Sequence, residues 1–247
     1  MANARKKYLV IWRLTDHQIP KSENRKMILS VDTSTPQIGI ALYDGARVIA
    51  EHLWLSKARH TVELAPAVAQ MLQQTGTDIS QVAAVGVAIG PGSFTSLRVG
   101  LAFAKGLAMS RTLPLVGIPT LDILAAQVAV SGLPLACVLA AGRGRLALGW
   151  FNASENGWQA AGSASVTTAE TVAAEVASPT LLTGELTAAE RQLLSKNENI
   201  LLASPAAATR RPGILAELAF RRWELGKTDP AASLAPIYLH IGDPIPG

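Results

Sequence analysis

The sequence predicts an α/β protein of two lobes, each a mixed sheet with the element order β-β-β-α-β-α-β-α. Three observations predict it. Apolar strand runs joined by tight-turn signals open both halves, at residues 28–55 and again at 135–166. Each meander is followed by helical and strand-like segments in alternation. Glycine, proline or a hydroxyl residue punctuates most junctions between them.

In the first half, residues 28–33 read as a buried strand ending in the polar turn Asp32-Thr33-Ser34-Thr35. Residues 37–43 form a second strand. Asp44-Gly45 follows, a hairpin signal because such turns need positive φ, and residues 47–55 return antiparallel. From residue 60 to 74 the apolar positions Leu64, Val68, Met71 and Leu72 recur at helical spacing. Pro66 sits in the first turns, where its missing N–H costs least, and Gly76 ends the helix. Residues 82–89 are an apolar β-rich run broken by Gly90-Pro91-Gly92-Ser93. Residues 95–109 are helical, residues 114–118 form a short strand, and Thr120 opens another helix.

The second half repeats the order. Residues 135–141 and 146–152 are strands around Gly142, Arg143 and Gly144, and residues 158–166 are expected as one third strand. Thr167 with Glu170, and Thr187 with Glu190, have capping-box spacing and open short helices. Residues 180–183 and 200–203 are strands. Residues 212–225 form a helix with Pro212 at its start and Gly226 at its end. Meanders extended by right-handed βα crossovers give sheets covered by helices. Two such lobes face to face make the actin-like, sugar-kinase-like architecture. The expected division is a leader at 1–26, a first lobe at 27–130 and a second at 131–247. The final helix is a candidate to pack back on the first lobe.

The 247 residues suffice for two lobes with cores of their own. Apolar residues make up 49% and charged ones 16%, and no apolar run reaches membrane-spanning length. Cys137 is the only cysteine, so no disulfide forms within the chain, and a reducing cytoplasm is expected. The net charge of +4 does not describe a nucleic-acid groove. Residues 1–26 hold seven Lys and Arg against Asp16 and Glu23, +5 in all, which leaves −1 from Met27 onward. The leader lacks the uninterrupted apolar core of a signal peptide. The favoured reading makes Met27 the native start.

Two loops could carry chemistry. Asp32, Thr33 and Ser34 place a carboxylate and small hydroxyl residues after a strand, the way a phosphate loop organises Mg²⁺ and backbone N–H groups. A plain strand-ending turn explains them as well. Gly90, Gly92 and Ser93 permit close backbone approach ahead of a helix N-terminus that favours an anion, or else make a tight turn with an N-cap. No Lys-Ser or Lys-Thr follows, so this is not a Walker loop. A phosphotransferase of this architecture needs a second acidic loop at the first hairpin of lobe two, and residues 140–144 carry no acid. His17, His52, His60 and His240 have no metal-pair spacing. Cys137, in an apolar strand, suits a buried thiol better than a nucleophile.

The runs Met27-Ile28-Leu29-Ser30-Val31-Asp32-Thr33-Ser34-Thr35, Arg59-His60-Thr61-Val62-Glu63-Leu64-Ala65-Pro66 and Gly90-Pro91-Gly92-Ser93-Phe94-Thr95-Ser96-Leu97-Arg98-Val99-Gly100, with Pro236-Ile237-Tyr238-Leu239, resemble the TsaB (YeaZ) family. The likeness is close from Met27 to about Gln127 and thin beyond. Ser96 stands where the family usually has Gly, and His240 where it usually has Arg. The resemblance implies an actin-like relative of TsaD, the subunit that transfers threonylcarbamoyl to adenosine beside the tRNA anticodon. TsaD carries a His-x-x-x-His metal pair in the helix after the fifth strand. The matching residues here are Thr120 and Leu124, neither a histidine.

The resemblance thus implies a non-catalytic subunit that binds TsaD, with TsaE joining as an ATPase and tRNA met only through the complex. Asp32, Thr33, Ser34, Gly90, Gly92 and Ser93 become a vestigial phosphate loop. No metal or cofactor is expected, with ATP or ADP left open at a partner interface. The expected partner face is His60, Leu64, Val68, Leu72, Leu97, Arg98, Leu101 and Lys105. Left unpaired, an apolar face of this kind favours a homodimer of the free chain. An ATP-dependent phosphotransferase and, last, a glycoprotease-like peptidase are the alternatives.

Overall fold

The computed structural model describes residues 27–57 and 59–239. The basic leader and His240 lie outside the described residues.

The first sheet has five strands: β1 (Met27–Asp32), β2 (Gln37–Tyr43), β3 (Val48–Leu55), β4 (Val82–Ala88) and β5 (Leu115–Ile118). Their order is β3-β2-β1-β4-β5, antiparallel through the meander and parallel from β1 to β5. Helices α1 (His60–Thr75) and α2 (Phe94–Arg111) cover one face. The sheet-facing stripe of α1 is Leu64, Val68 and Met71, all buried. Each such side chain contributes about 1.5–3 kcal/mol on burial, an upper bound because unfolded chains are partly collapsed. Gly76, at φ 63°, ends α1 in the left-handed conformation that glycine adopts freely.

The second sheet contains β6 (Leu135–Ala140), β7 (Leu146–Ser154), β8 (Gly157–Ala160), β9 (Ser165–Thr167), β10 (Thr180–Gly184) and β11 (Ile200–Leu202). Its order is β11-β10-β6-β7-β8, with β9 also on β7. The expected single strand at 158–166 is therefore two. Phe151 pairs with Ala160 and Leu148 with Ser165, so between these pairs two residues of β7 face four of the incoming chain. The extra length around Gly162 breaks the ladder. Helices α4 (Ala169–Glu175) and α5 (Ala188–Leu194) cover the outer face. The expected capping box of Thr167 with Glu170 does not form, and the side chain of Thr168 instead caps α4 by accepting from the Thr171 N–H. The box of Thr187 with Glu190 is present.

The inner face of each sheet is covered by a helix from the other half of the chain. The last helix, α6 (Pro212–Glu224), lies on sheet one, where Leu215, Ala216 and Ala219 meet Ile28, Ala41, Ala84 and Val116. The short α3 (Thr120–Ala126), which closes the first half, lies on sheet two. Its Leu121, Leu124 and Ala125 pack with Leu135, Cys137, Leu139, Ala147 and Phe151. No helix among the described residues is long and apolar enough to cross a membrane.

Candidate functional site

The turn after β1 lies between the lobes and is fully engaged. Asp32 Oδ1 accepts the Ser34 N–H at 2.8 Å, and Asp32 Oδ2 accepts from Arg210 Nε at 2.6 Å. Arg210, on the segment just before α6, is 1% exposed. Its Nη1 pairs with Glu185, which follows β10 in lobe two, and its Nη2 donates to Thr35 Oγ1 at 3.2 Å. Thr35 Oγ1 in turn donates to Glu185 Oε1 at 3.3 Å. Burial works against the charge on Arg210, but Asp32 and then Glu185 more than offset it, so its pKa lies above the ordinary value. The guanidinium thus neutralises the carboxylate of the predicted phosphate loop and ties the lobes together.

The second loop folds onto the first. The Ser93 N–H donates to the Ser34 carbonyl at 2.7 Å, an approach that Gly92 alone allows, since a Cβ there would collide with the same carbonyl. The Gly90 N–H donates to Thr120 Oγ1 at 3.0 Å, and Thr120 Oγ1 lies 2.8 Å from Ser34 Oγ. Thr33 Oγ1 donates to the Ser96 carbonyl at 2.7 Å and seats α2 at Gly100. The N–H groups of Ser34 and Ser93, which a phosphate would use, are therefore spent within the protein. In the first hairpin of lobe two, Gly142, Arg143 and Gly144 all have positive φ and are exposed, with no acid among them. Leu124 lies in the core of lobe two. Cys137 is buried, and burial pushes its thiol pKa up. Among the described residues no group of three or more His, Cys, Asp or Glu could hold a metal.

The predicted partner face divides. Leu64, Val68, Leu97 and Leu101 are buried at 5% exposure or less and belong to the core. The same helical stripe serves a sheet or a partner, and here the sheet takes it. His60 is also buried, its Nε2 3.1 Å from the Thr35 carbonyl oxygen. Leu72 and Lys105 are half-buried, and Arg98 is exposed.

The open surface is set by their helical neighbours. Val62, Phe94 and Met109 are 58%, 52% and 71% exposed. A groove of about 470 Å³ runs between α1 and α2, lined among others by Thr61, Ala65, Phe94, Arg98, Ala102 and Phe103. At its rim the Arg98 guanidinium lies 3.6 Å from the Phe94 ring centroid, and Arg98 Nε donates to Tyr238 Oη at 3.0 Å. Sequence reasoning missed Arg210 and Glu185, which no local pattern marks, and Val62, Phe94 and Met109, which sit one step round the helices from the residues it chose.

The family model TsaD, described as tRNA N6-adenosine threonylcarbamoyltransferase, matches residues 54–214. The protein TsaB of Escherichia coli K12, named for tRNA threonylcarbamoyladenosine biosynthesis, is 38% identical over 98 residues, 40% of this chain and 42% of that protein. TsaB of Bacillus subtilis 168 is 39% identical over 100 residues, 40% of this chain and 44% of that protein. The chain thus spans less than half the length of these two relatives. YeaZ from Pseudomonas aeruginosa superposes with a TM-score of 0.70 at 24% identity, over 87% of this chain and all of that one, which shows the shared two-lobed actin-like fold. The chain belongs to the TsaB (YeaZ) family of proteins related to TsaD.

Proposed function

We propose that this chain is a non-catalytic subunit in the formation of tRNA threonylcarbamoyladenosine, docking a TsaD-type transferase through the face of α1 and α2. The observation that carries the reading is the contrast between its two candidate sites. The inter-lobe loops are closed on Arg210 and on each other. The groove between α1 and α2 is open and largely apolar. Exposed aromatic, Met and Arg side chains such as Phe94, Met109 and Arg98 are the kinds enriched where proteins associate.

On this reading the chain performs no chemistry alone, binds neither metal nor nucleotide in its cleft, and meets tRNA through the assembled complex. Any ATP or ADP sits with the partners, TsaE among them. The cytoplasm, where tRNA is modified, is its place. The test is calorimetric titration of the full chain into the TsaD-type transferase encoded by the same genome, together with tRNA modification assayed with and without the chain. Stable association and modification that depends on the chain are expected. No association, or Mg-ATP turnover by the chain alone, would sink the reading.

A further inference from the structure

The two edges of sheet one are finished differently. The β5 edge is closed. The Asp229 N–H donates to the Leu115 carbonyl at 2.8 Å, Asp229 Oδ2 accepts the Gly117 N–H at 2.8 Å, and Arg222 donates to the Gly117 carbonyl. The β3 edge is open. Among the described residues, no hydrogen bond from outside the β2–β3 ladder reaches the backbone of residues 50–55. The ladder fixes which groups are free. The Ser56 N–H donates to the Pro36 carbonyl at 2.8 Å, one step beyond the Gln37–Leu55 pair. Opposite residues of an antiparallel pair alternate between bonded and unbonded. Ala50, His52 and Trp54 therefore turn their N–H and C=O to β2, whereas Glu51, Leu53 and Leu55 turn theirs outward.

Proteins blunt such edges by shortness, by Pro or Lys in the strand, or by a bulge. In sheet two, β8, β9 and β11 have only 4, 3 and 3 residues. Strand β3 has 8, with neither Pro nor Lys, and its register shift lies at the hairpin end, between Leu42 and Tyr43. Val48, Leu53 and Leu55 are exposed along it. Cations flank it, Arg47 before and Lys57 and Arg59 after. Arg47 and Arg59 meet Asp44 and Glu63 but keep 71% and 70% of their side chains exposed. Lys57 has no ion-pair partner among the described residues. Glu51, the one acid of the strand, is held by Arg211 and the Gly213 N–H. A second copy fits poorly. Antiparallel pairing about a two-fold axis sets one residue against itself. The fullest overlaps place Glu51 on Glu51, or His52 on His52 with Arg47 against Lys57, and like charges directly opposite are destabilising.

We propose that the β3 edge takes an extended segment of another protein as a sixth strand, apolar along its middle and bearing carboxylates at its ends, opposite Arg47 and Lys57. This site is separate from the groove between α1 and α2, none of whose lining residues is on β3. The probe is the acetylated, amidated peptide Glu-Thr-Val-Thr-Val-Thr-Val-Thr-Val-Thr-Glu, followed by the anisotropy of a fluorescent label, with its Lys-ended counterpart as control. The full chain should bind it with a Kd on the order of 100 µM, and the control about 5-fold more weakly or worse. Leu53→Pro removes one outward N–H and spares the β2 ladder. It should fold, as thermal melting checks, and lose about 10-fold or more in affinity. Lys57→Glu should weaken binding about 5-fold and remove the preference over the control. Bound peptide should also slow amide exchange at Glu51 and Leu53, while Ala50, His52 and Trp54 are slow with or without it, a readout that does not depend on any variant folding. No binding by the wild-type chain, or no added protection at Glu51 and Leu53, overturns the proposal. Self-association of the free chain in sedimentation, abolished by Leu53→Pro, would overturn it in favour of a second copy.

Discussion

The two lobes solve one problem with unequal means. Each sheet has an inner face to cover, and each receives a helix from the other half of the chain. Lobe one receives α6, of 13 residues, and lobe two receives α3, of 7. At about 1.5 Å per residue the first is nearly twice the length of the second. The seats differ as well. Ala219 of α6 stands over Gly86, so close that a Cβ on Gly86 would come within 2.6 Å of the Ala219 methyl. Under α3 in lobe two, on the meander strand β7, a Cβ on Gly149 would meet Leu121 Cδ1, the far end of a flexible side chain, at 2.9 Å. Lobe one is covered at this point by a methyl that can move only with its helix, whereas lobe two is covered by a side chain that can change rotamer. The clamped lobe is also the one that bears the proposed docking groove on its other face.

The largest effect is expected where the lobes are tied. Arg210→Met removes the cation and leaves Asp32 and Glu185 facing one another, with Asp32 buried. Breaking a buried ionic cluster on one side costs about 3–5 kcal/mol. Urea unfolding should show a loss of that size, against less than about 0.5 kcal/mol for Arg143→Met on the exposed hairpin. Equal losses would mean that the network does not hold the lobes.

Substitution of the two seats tests the asymmetry itself. Gly86→Ala should destabilise by about 1–3 kcal/mol, because the Ala219 methyl has no rotamer to change and can move only with its helix. Gly149→Ala should cost less than about 1 kcal/mol, since Leu121 can change rotamer. Thermal melts of the pair measure the difference, and a reversed order would refute the contrast between a rigid and a yielding seat.

Much of this architecture was legible in the sequence, and the part that was not has a physical cause. Strand and helix order follows from local periodicity, and the hinge-like loops from glycine and proline. Which sheet a helix covers is not local. The apolar stripes of α3 and α6 would fit either sheet, and the exchange is decided by the packing of the whole. Arg210 lies 178 residues from Asp32 and reads in sequence as an ordinary basic residue before a helix. Of the residues expected to face a partner, Leu64 and Val68 are buried in the core of lobe one, because an apolar stripe looks the same in sequence whether it faces a sheet or a partner.

The α3 cover holds a carboxyl group that makes lobe two sensitive to pH. Burial raises the Asp122 pKa to about 6, with Arg222 of α6 opposing. The folded chain therefore holds that proton more tightly than the unfolded one, and stability falls as pH rises from about 4 to about 6 and is level above. Asp122→Asn should remove the fall. It should match wild type near pH 4 and exceed it at pH 7.5 by about 1–2 kcal/mol, less than the roughly 3 kcal/mol ceiling of a fully buried group because Asp122 keeps some exposure. Melting curves across that range check it, and a variant no more stable than wild type at pH 7.5 would contradict it.

The smallest effect separates neighbouring threonines at the head of α4, on the outer face of the less firmly covered lobe. Spacing to Glu170 favours Thr167 as the cap, whereas the structure gives the role to Thr168, whose Oγ1 accepts the Thr171 N–H at 3.3 Å. The backbone decides between them. Thr167 is the last residue of β9, paired with Leu146, and is held in the sheet. Thr168, at φ −125° and ψ 164°, is the first residue free to turn its side chain back over the helix. Thr168→Ala should therefore cost about 1 kcal/mol, the usual worth of an N-cap. Thr167→Ala should cost only the few tenths expected when a β-branched strand residue becomes alanine. Urea midpoints for the two variants resolve the difference, and a larger loss at Thr167 would return the cap to the position that sequence spacing favours.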